Sequence, residues 1–311
     1  MLIFNRADNK IADDLVINLP DILDNNVHLV FNNSKVLKAR LFASTIHGGK
    51  AEFLLLKKIS ETKWSAIVSR AKRHKTGKLF SLPGGLEAEI SSIEDNTCEL
   101  IFSKPIEEQY LEKYGHIPLP PYIKRPDMSN DSLRYQTVYA NTLGSAAAPT
   151  AGLHFTDKAL KRLGKKTDGL SFVTLHVGMG TFLPIRTENI EDHSMHTEEY
   201  EITGETAARL NAAKSAGKKI LAIGTTSVRT LESACMNGQI KAGRSSTDLF
   251  IRPGYKFKFV DMMLTNFHTP GSSLIVMVSA FAGSDNIKKV YDYAIGEKYR
   301  FFSYGDAMLI R

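Results

Sequence analysis

The hydrophobic pattern of the chain changes character twice, and these changes restrict the folds that it can adopt. Between about Val36 and Ile106 the sequence consists of short β-rich runs separated by turn residues, among them Gly48-Gly49 and Pro83-Gly84-Gly85. Several short strands at this spacing predict a small antiparallel barrel or sandwich. After the proline-rich connector Ile117–Tyr122, apolar strands alternate with helices. That alternation predicts an α/β layer structure.

An early apolar strand shows how the two patterns combine. Val27–Phe31 is separated by the β-rich segment from the later buried strands that we predict at Phe172–Val177 and Lys219–Ile223. A helix is predicted to start at the N-cap Thr203 and to end near Gly217. The simplest arrangement is an α/β domain with an inserted small antiparallel β-barrel domain. Residues 1–36 and 116–311 would form the α/β domain, and residues 37–115 the barrel.

Composition narrows the class of protein. The 311 residues include 40 basic and 33 acidic side chains, so the formal charge is +7, which favours a polyanionic partner without requiring one. Cys98 and Cys235 lie outside any CxxC pair, as expected in a reducing cytosol. Met1–Lys10 lacks the apolar core of a signal peptide, and the longest apolar stretch, Leu274–Ala282, is far short of the roughly 18 residues of a membrane span. We expect a cytoplasmic protein without a membrane partner.

A basic run inside the β-rich segment is a second indication of an anionic partner. Residues 70–78 hold five lysines and arginines and no acid. Such a run is usually only a solvated face. On a small β domain beside an α/β domain it is also a plausible surface for nucleic-acid phosphates. The candidate phosphate contacts are Arg70, Lys72, Arg73 and Lys75.

The common nucleotide and hydrolase signatures are missing from the sequence: GxxxxGK[ST], HExxH, GxSxG and GxGxxG do not occur. Instead, four loops rich in Gly, Thr, His and Pro follow predicted strands, at residues 148–155, 176–182, 224–229 and 265–271. In open α/β sheets ligands bind beyond the carboxyl ends of the strands, and amides at a helix start favour a carboxylate or a phosphate. Turns also use these residues for structure alone.

Histidines are concentrated in the same half of the chain, at His154, His176, His193, His196 and His268. His193 and His196 have an i, i+3 spacing that a metal could use, but spacing places no further ligand, and we expect no metal. A general base or a hydrogen-bond donor to substrate is favoured because imidazole titrates near neutrality. A further polar cluster, Arg134-Tyr135-Gln136, could stack on or bind a base, although an ordinary helix start shows similar residues.

Longer strings in a fixed order carry a specific resemblance. They include IPLPPYIKR (117–125), RYQTVYA (134–140), AAPTAGLHFT (147–156), TLHVGMGTF (174–182), HSMHTEEYEI (193–202), IGTTSVRTLES (223–233), TDLFIRPGYKF (247–257), MLTNFHTPGSSL (263–274) and RFFSYGDAMLI (300–310). The chain resembles the S-adenosylmethionine:tRNA ribosyltransferase-isomerase family of queuosine biosynthesis. VFNNSKVLKARLF (30–42) and RAKRHKTGKL (70–79) extend the resemblance upstream, whereas Met1–Asn26 departs from the usual longer beginning.

The resemblance implies an inserted six-stranded barrel and a defined reaction. S-adenosylmethionine would be the co-substrate, and the partner would be tRNA carrying 7-aminomethyl-7-deazaguanine at the wobble position. The product would be epoxyqueuosine-tRNA, with adenine and methionine released by a monomeric enzyme. Removing a proton beside the sulfonium needs a general base, and hydrogen bonding or protonation would assist the departure of adenine.

On this resemblance we assign candidate roles to residues of these strings. The base and its orienting partners would come from His154, His176, His196 and His268. The methionine carboxylate would bind Thr225, Thr226 and Arg229 at a helix start. The adenosine would be lined by Gly178, Gly180 and Thr181, and Thr150 and Gly152 would also bind the co-substrate. The modified base would be read by Arg134, Tyr135 and Gln136.

Two alternatives remain at this point. One is a tRNA-binding protein of the same family whose divergent amino terminus has cost it catalysis. The other is an S-adenosylmethionine enzyme that acts on a small molecule. Adenine release, and its dependence on tRNA, discriminates among the three.

Overall fold

The structure, a computed structural model, describes residues 1–120, 122–178, 185, 187 and 189–311. The chain separates into two compact units, residues 1–35 with 136–311 and residues 36–135. The first is an α/β unit and the second contains a closed antiparallel β-barrel, which confirms the predicted fold class. The second unit runs from residue 36 to residue 135, whereas the predicted barrel domain covered residues 37–115.

Regular elements occur throughout the described chain. Its strands are β1 (Leu2–Asn5), β2 (Lys10–Asp13), β3 (Val27–Asn32), β4 (Ser34–Val36), β5 (Arg40–Ser44), β6 (Lys50–Lys58), β7 (Lys63–Val68), β8 (Leu79–Leu82), β9 (Leu86–Glu94), β10 (Thr97–Phe102), β11 (Thr142–Ser145), β12 (Gly169–Leu175), β13 (Glu198–Ile202), β14 (Lys219–Ile223), β15 (Cys235–Met236), β16 (Gln239–Ile240), β17 (Gly243–Thr247), β18 (Met262–Asn266) and β19 (Ala307–Ile310). Its α-helices are α1 (Leu19–Ile22), α2 (Glu108–Tyr114), α3 (Asp131–Arg134), α4 (Asp157–Lys166), α5 (Gly204–Ser215), α6 (Thr225–Ala234), α7 (Ser273–Ala282) and α8 (Ser284–Gly296).

The barrel closes in the order β10-β7-β6-β5-β8-β9. Alternate side chains point inward, so Leu41, Phe53 and Phe80 are fully buried while their neighbours along each strand are more exposed. Phe53 and Phe80 meet edge to face, with ring centroids 5.0 Å apart. The two-residue alternation of the sequence therefore accounts for this core.

Residues 116–135 belong to the barrel unit because side-chain and backbone contacts tie them to it. His116 exchanges two backbone hydrogen bonds with Arg40 of β5, at 2.9 and 3.2 Å. The carboxylate of Asp127 accepts from the His116 ring at 2.9 Å and from the Ile117 amide at 3.2 Å. The backbone pairing of His116 with Arg40 joins distant parts of the chain, so no local sequence signal predicts it.

The α/β unit is built on a nine-stranded sheet in the order β17-β13-β12-β3-β14-β18-β19-β1-β2. Its centre, β12-β3-β14-β18, is entirely parallel. Every residue of β3 is buried, as expected for a central parallel strand covered on both faces. Because these four strands run the same way, the loops that follow β12, β14 and β18 leave the sheet at one edge.

Two apolar layers cover the sheet. One contains Val228 of α6, Val278 of α7 and Val290 of α8, and the other contains Leu19 of α1 and Leu163 of α4. The predicted helix after Thr203 is present as α5, and the Thr203 side chain caps it by accepting from the Thr206 amide at 3.2 Å. In the described residues no helix has the length and apolar character needed to traverse a bilayer.

The divergent amino terminus is part of this sheet. β1 pairs in parallel with β19, and β2 forms the adjoining edge strand. Asp13 of β2 accepts hydrogen bonds from the hydroxyl groups of Tyr293 and Tyr299, which fastens the edge to α8 and the segment after it.

Candidate active site

Three of the four polar loops meet at the carboxyl edge of the parallel strands. A 3₁₀ turn at residues 150–154 lies over the ends of β14 and β18. Thr150 Oγ1 donates to Asn266 Oδ1, the last residue of β18, at 3.0 Å. A methyl group built on Gly224, which directly follows β14, would be 3.6 Å from Ala151 Cβ, an ordinary contact distance. The first, third and fourth loops therefore form one site.

Glu198 connects the second loop to the site formed by the other three loops. One of its carboxylate oxygens accepts from the Gly178 amide at 2.8 Å, and the other forms an ion pair with Arg229 of α6. Both charged side chains are almost completely buried. Further along, the Ile185 amide donates to the Gly271 carbonyl in the fourth loop at 2.8 Å. Gly180 and Thr181, predicted to line the adenosine, lie outside the described residues.

Arg229 has several partners besides Glu198. Its guanidinium also donates to the carbonyls of Leu249 and Thr247, at 3.2 and 3.4 Å. A buried guanidinium with a carboxylate partner is already neutralised. Arg229 therefore positions the loops around the site. In the described structure its positive charge is balanced by the carboxylate of Glu198.

A narrow hollow opens at the start of α6. Apolar side chains form most of its wall, and the first turns of α6 and α7 reach it; its lining residues are Met195, Thr225, Thr226, Arg229, Leu249, Phe250, Ile251, Ser273, Leu274 and Met277. Thr226 is 9% exposed, and its hydroxyl has no hydrogen-bond partner among the described residues. A buried hydroxyl without a partner is costly, so it indicates a place where a ligand atom completes the bonding.

The backbone at the start of α6 suits an anion. Gly224 is the N-cap residue, with φ +86°, a conformation that side chains other than glycine rarely adopt. As a glycine, this N-cap residue makes no side-chain hydrogen bond to the first turn. The helix dipole and the orientation of the first amides both favour a negative charge here. By contrast, Ser272 caps α7 through the Ile275 amide at 3.3 Å.

His154 lies at the end of the 3₁₀ turn, next to β18. Its Nε2 is 3.2 Å from Asn266 Nδ2. Burial lowers the pKa of His154, and the nearby carboxylate of Asp306 partly opposes this effect. The imidazole is consequently neutral at physiological pH.

His268 follows the end of β18 and is held by Thr265 of that strand. Thr265 Oγ1 is 2.9 Å from His268 Nε2, and the His268 amide donates to the Tyr291 hydroxyl at 2.9 Å. Burial lowers the pKa of His268 to about 4. Because successive strand residues point to opposite faces, Thr265 and Asn266 place His268 and His154 on opposite faces at the same strand end.

The other two candidate histidines lie apart from this pair. His176 borders an open hollow at the end of β12, together with Glu199, Glu201 and Arg244. Burial lowers its pKa, against the opposing effect of both glutamates. His196 is exposed and follows Met195 of the narrow hollow. Within the described ranges, no cluster of three or more histidine, cysteine, aspartate or glutamate side chains is arranged to hold a metal ion.

Gly152 has a packing role in the first loop. A Cβ atom at this position would be 1.9 Å from Tyr139 Oη and 2.7 Å from Thr137 Cγ2. Only glycine lets the turn lie this close to Tyr139. The same turn contains Thr150 and His154.

The predicted base-reading cluster spans the division between the two units. Arg134 is exposed and Gln136 is partly exposed, so both can be reached from solvent. Tyr135 is fully buried, and its ring has no face available for stacking on a base. The sequence did not indicate whether the Tyr135 side chain is buried or exposed.

The basic run forms an exposed loop on the barrel. Arg70, Lys72, Arg73 and Lys75 are all exposed. His74 Nε2 lies 3.1 Å from the Ser69 carbonyl, and its Nδ1 lies 3.1 Å from Lys78 Nζ, so these two side chains brace the loop. Burial and the Lys78 charge lower the pKa of His74, which keeps the ring neutral.

Two residues of the site were not among the predicted ones. Asn266 stands within the fourth loop string, and Glu198 follows the HSMH string, but neither the loop composition nor the spacing singles them out. Both are buried polar residues at strand ends, and buried side chains of this kind are normally partnered.

Comparison with known proteins agrees with the architecture. The profile of the queuosine biosynthesis protein family matches residues 1–310. The chain belongs to this family. Among family relatives, S-adenosylmethionine:tRNA ribosyltransferase-isomerase of Treponema denticola is 50% identical, across 100% of this chain and 92% of the relative. The corresponding protein of a Thermoanaerobacter species is 47% identical over the same shares.

A solved structure shows a similar fold. The crystal structure of S-adenosylmethionine tRNA ribosyltransferase from Thermotoga maritima has a TM-score of 0.54 and 31% sequence identity to this chain. The similarity covers 100% of this chain and 91% of that one. The family match thus extends through both units and includes the amino-terminal strands.

Proposed function

We propose that this chain transfers and isomerises the ribosyl group of S-adenosylmethionine onto 7-aminomethyl-7-deazaguanine at the wobble position of tRNA. The products are epoxyqueuosine-tRNA, adenine and methionine. The names of the relatives support the reaction class. The observation that carries the assignment to this site is the buried Thr226 hydroxyl, which has no hydrogen-bond partner among the described residues and lies at a helix start whose N-cap is Gly224, beside an apolar hollow.

The start of α6, at the edge of the hollow, suits the carboxylate at the methionine end of the co-substrate. Thr225 and Thr226, with the first amides of α6, would hold the carboxylate, since an anion at a helix start is favoured by the dipole. The hollow itself has a volume of about 10 Å³, so Leu274, Met277 and Ile251 would have to move apart to pack along the aliphatic portion. Arg229 would act by holding Glu198, and through it Gly178, rather than by binding the carboxylate itself.

Neutral histidines at the strand ends would transfer protons or form hydrogen bonds to the substrate. S-adenosylmethionine supplies the ribosyl group and two leaving groups, methionine and adenine. His154, His176 and His268 all have pKa values lowered by burial, so at neutral pH each can accept or donate a hydrogen bond without carrying charge. Thr150 and Gly152 build the turn that carries His154, and we place them with Gly178 on the adenosine side.

Exposed basic and polar side chains would contact the RNA. The exposed side chains of Arg70, Lys72, Arg73 and Lys75 would bind phosphates, and Arg134 and Gln136 would approach the modified base. We further propose that the protein works as a monomer in the cytoplasm, where tRNA is modified and where its two unpaired cysteines remain reduced.

One assay tests the proposal and separates it from the alternatives. Purified protein is incubated with S-adenosylmethionine, with or without tRNA bearing the modified base, and free adenine is measured. We expect release that requires the tRNA. Tight tRNA binding without adenine release would favour the non-catalytic protein, and release without tRNA would favour a small-molecule enzyme. The first alternative rested on the divergent amino terminus, but that segment forms β1 and β2 and lies within the family match.

A further inference from the structure

Asn266 makes two side-chain contacts that connect two loops of the site. It is 2% exposed and is the last residue of β18, where its backbone is paired with Ala307 of β19. Its Oδ1 accepts from Thr150 Oγ1 at 3.0 Å, and its Nδ2 faces His154 Nε2 at 3.2 Å. The side chain is therefore held at both of its polar atoms, and the backbone that carries it is held by the sheet.

This contact determines where the proton of neutral His154 resides. An amide nitrogen has two hydrogens and cannot accept a hydrogen bond. Contact with Asn266 Nδ2 therefore requires His154 Nε2 to accept, and in a neutral imidazole the hydrogen is then on Nδ1. The Thr150 hydroxyl reinforces this arrangement because, as a donor, it holds Oδ1 of the amide on its own side.

We propose that Asn266 is a positioning residue that keeps His154 as the neutral Nδ1–H tautomer, so that His154 serves the reaction as a hydrogen-bond donor and not as the general base. This proposal rests on the proposed function. The Nε2 lone pair, the usual site of proton abstraction, is occupied by the amide. The remaining N–H on Nδ1 is suited to donating to a substrate nitrogen or oxygen that gains electron density as a bond breaks.

The first test needs no substrate. In protein labelled with ¹⁵N-histidine, the ring nitrogen shifts of His154 report its tautomer and its pKa. We expect the Nδ1–H form in the unaltered protein at pH 7–8. In Asn266→Asp the carboxylate can only accept, so Nε2 should become protonated and the His154 pKa should rise. A dominant Nε2–H form in the unaltered protein overturns the proposal.

Thr265→Val is the matched control for this measurement. Thr265 is the adjacent strand residue and contacts His268 on the opposite face. The variant should change the His268 signals and leave those of His154 in place. Movement of the His154 signals in this variant as large as in Asn266→Asp would count against a specific role for Asn266.

The second test uses adenine release as a function of pH. For Asn266→Asp we expect the pH profile of kcat to shift with the new His154 pKa, with at least a tenfold loss at neutral pH and a much smaller change in KM. Asn266→Ala, which has no donor or acceptor, should lose rate without acquiring the new pKa. An Asn266→Asp profile that coincides with the unaltered one overturns the proposal. If even the unaltered protein releases no adenine, the proposed function fails, while the tautomer measurement still decides the role of Asn266.

Discussion

Glu198 and Arg229 form a buried ion pair that connects the start of β13 to α6, and the other oxygen of Glu198 holds the Gly178 amide at 2.8 Å. Two loops that follow different strands are thereby held in one arrangement. The pair balances two charges that water cannot reach, so the fold depends on keeping both.

Removing one charge of this pair should destabilise the fold strongly. Glu198→Gln preserves the shape of the side chain but leaves the Arg229 charge buried without its counter-charge, which costs about 3–5 kcal/mol. Glu201→Gln is the control, because Glu201 pairs with the largely exposed Arg244, and such pairs contribute less than about 1 kcal/mol. Urea unfolding monitored by circular dichroism compares the two. Equal losses in the two variants would contradict the structural role of Glu198.

Thr226→Val should weaken S-adenosylmethionine binding with little effect on folding. The substitution keeps the volume and removes a hydroxyl that has no protein partner in the described structure. A hydrogen bond to a charged group contributes about 1.5–3 kcal/mol, so we expect the KM for the co-substrate to rise on the order of 10- to 100-fold.

Thr230→Val is the matched control for Thr226→Val. Thr230 is one turn further along α6 and its hydroxyl donates to the Thr226 carbonyl, away from the hollow. Its KM should stay within about twofold of the unaltered value. If Thr226→Val also leaves the KM unchanged, the carboxylate does not bind at this helix start.

Neutralising the exposed loop on the barrel should reduce tRNA affinity in a salt-dependent manner. In the triple variant Lys72→Gln, Arg73→Gln, Lys75→Gln, each lost phosphate contact should make the negative slope of log K against log salt less steep, by roughly 0.7–0.9. The slope is measured by fluorescence anisotropy with labelled tRNA at several salt concentrations. A second triple variant, with glutamine at the exposed Lys50, Lys58 and Lys104, controls for net charge. Identical slopes for both variants would show that affinity follows overall charge alone.

His268 should make the fold less stable in mild acid. Burial lowers its pKa from 6.5 to about 4. As the pH falls below 6.5, the unfolded chain takes up a proton that the folded protein does not take up until about pH 4. The contribution of His268 to the free energy of unfolding is thus fully present above pH 6.5. It decreases by up to about 3 kcal/mol as the pH falls from 6.5 to 4.

Denaturant unfolding at pH 7, 5.5 and 4.5 checks this pH dependence. His268→Gln should show a shallower loss of stability over the range than the unaltered protein, because glutamine does not titrate. His193→Gln serves as the control, since the His193 ring meets the Phe250 ring edge to face and does not lie at the end of β18. Parallel stability curves for the unaltered protein and His268→Gln would be the contrary result.

Much of the architecture is visible in local sequence patterns. The alternation in β5 and β6 predicts a barrel, and the apolar runs of β3 and β14 predict central strands. Loops that follow parallel strands necessarily lie at the same edge of the sheet, which brings the third and fourth loops together. The first loop joins them because its turn packs on the ends of those strands.

Side-chain partners are different, because they depend on which distant segments pack together. Arg229 looked available to a carboxylate until the pairing of β13 placed Glu198 beside it. Tyr135 looked like a surface aromatic, yet it is fully buried. Asn266 became significant only once the turn at residues 150–154 lay against the end of β18. Periodicity and turn chemistry act over a few residues and define strands, helices and loops, whereas burial and hydrogen bonding between residues more than 100 positions apart are decided only when the chain has folded.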